Sequence, residues 1–259
     1  MKAIVANWKM NLSVRESVAL TRGILRGIRG QAILPEIVLC PSFVALSEMR
    51  KILARSRVRL GAQDVFWQDS GAFTGEVSVR QLKELNCSHV ILGHSERRRE
   101  FNETDQMVNK KVLAVLQAKM IPIVCVGESA QIRKKGQAAA VKAVQDQLAA
   151  VLEEARFSKT QPFFIAYEPI WAISTSLVKE AQPEQVVEMH RIIRGWLDEH
   201  YGHDLTNKVH ILYGGSVDKE SINSFLREPA IEGVLVGSAS IKISELNSIV
   251  KQAINSLAQ

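Results

Sequence analysis

Eight short apolar runs recur along the chain, each five to seven residues long and rich in β-branched side chains. Polar residues do not alternate within these runs, which is the pattern of β-strands covered on both faces. The sequence therefore predicts a buried, parallel sheet. The runs are AIVAN (3–7), EIVLC (36–40), VRLGAQ (58–63), HVILG (89–93), IPIVCVG (121–127), FFIAYE (163–168), VHILYGG (209–215) and GVLVGS (233–238).

The segments between these runs carry apolar residues at helical spacing and signals that begin helices. Ser13 with Glu16, and Ser78 with Gln81, fit the capping box, in which both side chains satisfy free N–H groups of the first turn. One apolar helix face is defined by Leu20, Ile24, Leu25 and Ile28.

Strand and helix patterns alternate eight times without a linker rich in Pro, Gly or Ser. This alternation predicts an α/β fold, a (β/α)8 barrel of eight parallel strands, each followed by a helix. We expect one domain spanning residues 1–259. A doubly wound open sheet is the alternative, because strand order is not visible in a single sequence.

Composition narrows the choice of compartment and partner. Cys40, Cys87 and Cys125 are odd in number and form no CxxC pair, which favours a reducing compartment and argues against disulfides and a zinc site. The opening MKAIVANWKM is too short for a signal segment, and no apolar span has transmembrane length. We therefore expect a cytoplasmic protein that has no membrane partner.

The net charge of +6 favours an anionic partner. The densest basic run, Arg97-Arg98-Arg99, lies among Glu96, Glu100 and Glu103, which is typical of a salt-bridged helix rather than a nucleic-acid site. We expect a small anion as ligand and no nucleic-acid partner.

Polar residues cluster where the predicted strands end, which is the edge of a β/α barrel that carries chemistry. Glu168 follows an apolar run, and burial would make its carboxylate a stronger base; a rim carboxylate paired to a cation is the alternative. His94 precedes a helix, which favours a neutral imidazole; the alternative is a structural histidine, which is the more common role of a single histidine. The other residues at these ends are Asn7, Lys9, Gln63, Glu96, Glu128, Gly214-Gly215-Ser216 and Gly237-Ser238.

Two of these groups suit an anionic substrate. Lys9 could neutralise an anion or a developing oxyanion, unless it is a solvated loop lysine. Ser216 and the Gly237-Ser238 pair follow the seventh and eighth strands, where barrels commonly bind phosphate through backbone N–H groups. Ordinary turns use the same residues, so each pair alone is a weak signal.

Seven further motifs follow one another along the chain: NWKMN (7–11), GAFTGEVS (71–78), LGHSERR (92–98), VCVGE (124–128), AYEPIWAI (166–173), YGGSV (213–217) and LVGSAS (235–240). In sequence, order and spacing they resemble the triosephosphate isomerase family. The resemblance covers the whole chain, and it implies interconversion of dihydroxyacetone phosphate and glyceraldehyde 3-phosphate without cofactor or metal.

The resemblance also implies a role for each matched residue. Glu168 is the base, His94 is the neutral acid that polarises the substrate oxygens, and Lys9 with Asn7 binds the substrate. Glu96 supports Lys9. The residues expected to bind phosphate through their backbone amides are Ser174, Ser216, Gly237 and Ser238.

The same resemblance implies functions for two loops. The segment that begins at Pro169 resembles a lid that excludes water, with its tip at 172–176 and with Tyr213 and Ser216 as its latch. Residues 71–76 resemble a loop that enters a second subunit, with Thr74 near the partner's site, so a homodimer is expected.

Three positions depart from the family pattern. Ser174-Thr175-Ser176 replaces Gly-Thr-Gly at the lid tip, and Ser238 replaces the second glycine of the last pair. Serine adopts positive φ less readily than glycine, so these changes restrict the backbone conformations of both segments. Asp64 stands where Asn is usual and adds negative charge near Lys9.

Two other functions remain compatible with these residues. A sugar-phosphate epimerase would use the same barrel, usually with a metal, although no metal-ligand spacing is visible. A non-catalytic or low-activity paralogue would keep the fold as a binding module, which only the serine-bearing lid supports.

Overall fold

Eight parallel strands close into a barrel in a computed structural model that describes residues 2–158, 160–173 and 181–257. The strands follow one another in chain order around the barrel, and β8 pairs with β1, with Val234 beside Ile4. The predicted barrel is confirmed and the open sheet is wrong. The strands are β1 (Ala3–Asn7), β2 (Glu36–Cys40), β3 (Arg59–Ala62), β4 (Cys87–Leu92), β5 (Ile121–Val126), β6 (Phe163–Tyr167), β7 (Val209–Tyr213) and β8 (Gly233–Val236).

Helices surround the barrel and connect its strands. They are α1 (Val14–Gly27), α2 (Leu46–Leu53), α3 (Val79–Glu84), α4 (Ser95–Glu100), α5 (Asp105–Gln117), α6 (Ala130–Arg133), α7 (Gln137–Val151), α8 (Pro183–Tyr201), α9 (His203–Thr206), α10 (Ile222–Leu226) and α11 (Ile243–Leu257). Short 3₁₀ turns cover Phe43–Ala45, Ile170–Ala172 and Ser238–Ile241. Within the described residues, no helix is both long and apolar enough to span a bilayer.

The predicted helix starts are confirmed. Ser13 caps α1 and Ser78 caps α3, and each forms a reciprocal capping box with the residue three positions later.

The barrel has two apolar layers, which explains why its strands are almost continuously hydrophobic. Alternate residues point inward and fill the barrel, among them Val5, Ile123 and Phe164. Their neighbours, such as Ile4 and Ile165, point outward and pack under the helices. Because successive side chains face opposite sides of a strand, both sets must be apolar.

Barrel closure depends on the close approach of two backbones at β1 and β8. A Cβ atom on Gly233 would lie 2.2 Å from the carbonyl oxygen of Ala3 and 2.7 Å from its nitrogen. Only a glycine allows this seam to close without displacing a strand.

We expect Gly233→Ala to lower the free energy of unfolding by about 2 kcal/mol or more, because the added methyl group forces the seam apart. Urea unfolding at fixed protein concentration measures the change. Gly195→Ala is the matched control, since Gly195 lies within α8 with no atom near its Cβ position. The control should be neutral or stabilise by up to about 1 kcal/mol. Similar losses in both variants would argue against a constraint specific to the seam.

Candidate active site

The carboxyl ends of the strands surround a cavity of about 600 Å³. Its lining comes from opposite sides of the barrel, so residues far apart in sequence meet in one place. The sequence-predicted residues that line it are Asn7, Lys9, His94, Ser216, Gly237 and Ser238. Glu168 is not among the lining residues; it lies beside the cavity, next to His94 and Gly214.

His94 is the N-cap of α4. Its Nδ1 accepts a hydrogen bond from the backbone N–H of Glu96 at 3.2 Å. A ring nitrogen that accepts a hydrogen bond carries no proton, so this contact selects the neutral imidazole with its hydrogen on Nε2. The structure therefore presents His94 as a neutral donor at the cavity wall.

Glu168 is 2% exposed and directly follows β6. Its Oε2 accepts the backbone N–H of Ser95 at 2.9 Å. Its Oε1 lies 3.0 Å from His94 Nε2, but no described residue donates a hydrogen bond to it. The carboxylate thus keeps one oxygen uncommitted beside the imidazole, as a base requires.

Lys9 has a strained backbone at the end of β1. Its φ is +51°, a left-handed conformation that is unusual for a residue with a Cβ. Asn7 Oδ1 accepts the Lys9 N–H at 3.1 Å, and Gln63 Nε2 donates to the Lys9 carbonyl at 2.9 Å. Gln63 also donates to the Cys40 carbonyl at 2.9 Å. These bonds hold Lys9 in the conformation that directs its side chain into the cavity.

The Lys9 ammonium is paired within the site. Its Nζ lies 2.5 Å from Glu96 Oε1, and both side chains are partly exposed. Burial acts to raise the pKa of Glu96, but the hydrogen bond and charge of Lys9 outweigh it, so the net pKa is lowered. Glu96 therefore remains ionised and keeps the cation at the cavity.

Asp64 belongs to a buried cluster of four charges rather than acting on Lys9. Lys111 Nζ lies 2.7 Å from Asp64 Oδ1 and also contacts Glu103. Arg97 of α4 bridges the same two carboxylates, at 2.9 Å from Asp64 and 3.3 Å from Glu103. Burial raises the pKa of Asp64, while Lys111 acts in the opposite direction. The extra negative charge is thus balanced locally by two cations.

Glu128 follows β5 and binds the start of the segment at Pro169 that resembles a lid. It is fully buried and accepts hydrogen bonds from Trp171 Nε1 at 2.8 Å and from the Tyr167 hydroxyl at 3.1 Å. Burial raises the pKa of Glu128, and the hydrogen bond from Trp171 opposes that rise. The lid-tip residues Ser174, Thr175 and Ser176 lie outside the described residues.

Ser238 fits its position without backbone strain. It begins a 3₁₀ turn after β8 and is not among the described residues with positive φ. Lys9 reaches the same place, since a Cβ on Gly237 would lie 3.6 Å from Lys9 Nζ. Cation, serine and glycine thus meet at one end of the cavity, where an anionic group would be bound.

Several supporting residues escaped the sequence reasoning. Gln63 was noted at a strand end but given no role, and Ser95 was not singled out. Cys125 lies inside the barrel, where burial and the neighbouring Glu168 carboxylate raise the pKa of its thiol. Inward alternation along β5 was the one sequence signal that could have placed Cys125 in the barrel. The bonds of Gln63 and Ser95 depend on backbone positions that no local pattern encodes.

Comparisons with known proteins agree with this geometry. The family model described as Triosephosphate isomerase matches residues 2–253. A triosephosphate isomerase from Citrifermentans bemidjiense is 42% identical over 248 residues, covering 96% of this chain and 97% of that protein. One from Alkaliphilus metalliredigens is 43% identical over 249 residues, covering 95% and 97%. The crystal structure of triosephosphate isomerase from Bartonella henselae matches with a TM-score of 0.86 at 32% identity, covering 97% and 98%.

We expect Trp171→Phe to lower the free energy of unfolding by about 1.5–3 kcal/mol, because Glu128 loses a charge-assisted hydrogen bond while it stays buried. Chemical unfolding at fixed protein concentration measures the loss. The matched control is Trp67→Phe, since Trp67 stacks on Phe66 and its indole N–H donates no hydrogen bond to a described residue. If Trp67→Phe lowers the free energy of unfolding as much as Trp171→Phe does, the loss would not come from the hydrogen bond to Glu128.

Proposed function

The chain belongs to the triosephosphate isomerase family, and from that premise we propose which of its residues perform the reaction. It is an isomerase that interconverts dihydroxyacetone phosphate and D-glyceraldehyde 3-phosphate, a reaction of glycolysis. No observation favours a non-catalytic paralogue. One contact carries the assignment of residues: His94 Nε2 lies 3.0 Å from a Glu168 oxygen that accepts no hydrogen bond from the described residues.

Glu168 is the base. It removes a proton from the hydroxymethyl carbon of dihydroxyacetone phosphate, which leaves an enediolate, and it returns the proton to the neighbouring carbon to give the aldehyde. Its surroundings favour this role because apolar strand residues precede it and one oxygen remains free. Because Glu168 lies beside the cavity rather than lining it, its side chain must leave the Ser95 N–H and rotate toward the substrate.

His94 is the acid that serves the two substrate oxygens. With Nδ1 committed to the Glu96 N–H, its Nε2 hydrogen is available for the carbonyl oxygen. Donation from a neutral imidazole polarises the carbonyl, and the same nitrogen then moves a proton between the two oxygens. A neutral donor suits this step because a neutral imidazole can give a proton to one oxygen and take a proton from the other without leaving the site.

Lys9 and Asn7 bind the substrate, and Lys9 offsets the charge that develops on the enediolate. Glu96 keeps the Lys9 ammonium in place through their 2.5 Å contact. Backbone N–H groups bind the phosphate, with help from the Lys9 charge. The residues proposed for this are Ser216, Gly237 and Ser238, together with Ser174, which lies outside the described residues.

The lid begins at Pro169 and is latched by Tyr213 and Ser216. Trp171 is tied to Glu128 at its first hinge, and Tyr213 stacks on Phe225 at 4.4 Å, which gives the latch a fixed base. Closure of the lid excludes water from the enediolate. The whole chain forms one domain around this site.

The functional unit is a homodimer. Residues 71–76 form an exposed loop that contains Thr74 and Phe73, and Phe73 is 43% exposed. Three further large apolar side chains are exposed beyond the same ends of β1, β2 and β4: Met10 is 95%, Val44 is 74% and Phe101 is 66% exposed. Several exposed apolar residues at one end of a molecule support a protein interface.

The protein acts in the cytoplasm. Cys40, Cys87 and Cys125 are free thiols, and burial raises the pKa of each. Unpaired thiols suit a reducing compartment. The substrate is the triose phosphate alone, without cofactor or metal.

We expect Glu168→Gln to lower kcat for glyceraldehyde 3-phosphate by roughly 10²–10⁴-fold, because the amide has no basic oxygen for the proton. A coupled assay measures turnover, and binding of a phosphate-bearing enediolate mimic shows that the site remains intact. Glu188→Gln on the exposed surface of α8 is the matched control and should keep full activity. Turnover of Glu168→Gln within tenfold of the wild type would refute the base assignment.

We expect Phe73→Arg to give a monomer in sedimentation analysis, because a charge would replace a buried apolar contact of the dimer. Its kcat should fall by roughly 10²-fold, the scale expected when catalytic groups shift by about 1 Å. Ile33→Arg introduces the same charge at another exposed apolar side chain and should leave the dimer intact. A wild-type protein that sediments as a monomer would contradict the proposal.

A further inference from the structure

The positive charge of the protein is concentrated in one part of the chain. Residues 15–59 contain nine of the 33 basic residues and three of the 27 acidic residues, which leaves 24 of each elsewhere. The whole net charge of +6 therefore comes from this segment. All nine cations are exposed.

The fold gathers these cations along α1 and at the ends of α1 and α2. Arg22 and Arg26 lie one turn apart on the solvent face of α1, about 6 Å along its axis. Arg29 continues the row beyond the helix. Arg57 donates to the Ala32 carbonyl at 3.0 Å and also contacts the Gln31 carbonyl, which places Arg57 beside the segment that follows α1. Arg55 lies two residues before it in the chain and is exposed. We call Arg22, Arg26, Arg29, Arg55 and Arg57 the basic ridge.

The basic ridge is not neutralised by ion pairs in the part of the chain that the structure describes. None of its five arginines forms an ion pair with a described residue. The three acidic residues of the segment are used elsewhere: Glu16 caps α1, Glu36 lies 3.3 Å from His89, and Glu48 pairs with Lys51. Cations near a helix end offset the helix dipole, but that effect acts within the last turn and does not account for the mid-helix Arg22.

We propose that the basic ridge binds the phosphate backbone of a double-stranded nucleic acid, without reading base sequence. Regularly spaced phosphates match a row of unpaired cations, and charge neutralisation provides the affinity of sequence-independent binding. Arginine outnumbers lysine eight to one among the nine cations, and the planar guanidinium is the preferred phosphate partner.

An acidic membrane surface fits the basic ridge less well. A membrane-bound helix turns an apolar face outward, whereas Leu20, Ile24 and Ile28 of this segment are buried against the barrel. Among the described residues, two large apolar side chains are exposed near the ridge, Ile33 after α1 and Ile243, which lies against Gly23 of α1. Two isolated side chains do not form the continuous apolar face that membrane insertion needs. Single strands are also less suitable, because no aromatic residue lies in 15–35 or 45–59 to stack on bases.

The proposal departs from the expectation of no nucleic-acid partner. That expectation rested on Arg97-Arg98-Arg99, whose neighbours are acidic; Arg98, for example, pairs with Asp105 at 2.5 Å. The ridge is instead assembled from two segments separated by β2. Because α1 ends near the start of β2, much of the ridge lies at the opposite end of the barrel from the active site. Binding there leaves the isomerase reaction accessible.

Fluorescence anisotropy with a labelled 20-base-pair DNA duplex tests the proposal on the whole protein. The triple variant Arg22→Gln, Arg26→Gln, Arg29→Gln should weaken binding at least tenfold at 100 mM salt. The slope of log K against log salt concentration should also become less steep by roughly two to three, because each lost phosphate contact contributes about 0.9 to that slope. Isomerase turnover and thermal stability should match those of the wild type.

The matched control is Arg156→Gln, Arg191→Gln, Arg227→Gln, which removes three exposed arginines outside the segment. It should bind the duplex within about twofold of the wild type. Equal losses in both variants would show an effect of net charge alone and overturn the proposal. Absence of binding up to 100 μM wild-type protein, a concentration within the usual nonspecific range, would also overturn it. So would ridge-dependent binding to phosphatidylserine vesicles without binding to the duplex, because the partner would then be a membrane surface.

Discussion

Two backbone N–H groups in the first turn of α4 hold the pair of side chains on which the site depends. The Ser95 N–H is bound by Glu168, and the Glu96 N–H is bound by His94. A helix start leaves such donors without partners inside the helix, and here both are satisfied by functional groups. One bond sets the tautomer of the imidazole, and the other holds the carboxylate beside it. Any shift of α4 would therefore change both groups together.

The position of α4 is fixed from its other side by charge. Arg97 reaches Asp64 and Glu103, which Lys111 also contacts, and three of these four residues are buried. A buried ion cluster contributes little net stability, but removing one member leaves an unpaired buried charge. Positions of α4 that break these ion pairs are therefore unfavourable. Asp64 directly follows Gln63, the residue that clamps the Lys9 backbone. The cluster thus connects the helix that carries His94 with the loop that positions the cation.

The cavity and the unpaired positive charge lie largely at opposite ends of the barrel. The carboxyl ends of the strands carry the cavity, the lid hinge and the exposed apolar loops, and the opposite end carries much of the unpaired positive charge. Strands buried on both faces leave few positions for polar chemistry along their length, so functional groups collect in the loops. The Lys9 backbone is strained as a result, and two hydrogen bonds hold it: Asn7 accepts from the Lys9 N–H, and Gln63 donates to the Lys9 carbonyl.

The sequence alone determined the elements, because strand burial, helix period and capping boxes are local patterns. It also predicted that Glu168, His94 and Lys9 lie at one end of the barrel, because the matching motifs lie at the ends of predicted strands. Tertiary structure decided what these residues contact. The Gln63 clamp, the Ser95 bond to Glu168, the balance of Asp64 by Lys111 and Arg97, and the gathering of five arginines into one ridge each join segments separated by strands or helices. Such contacts depend on barrel closure and strand register, which set distances between residues that no periodicity in the sequence relates.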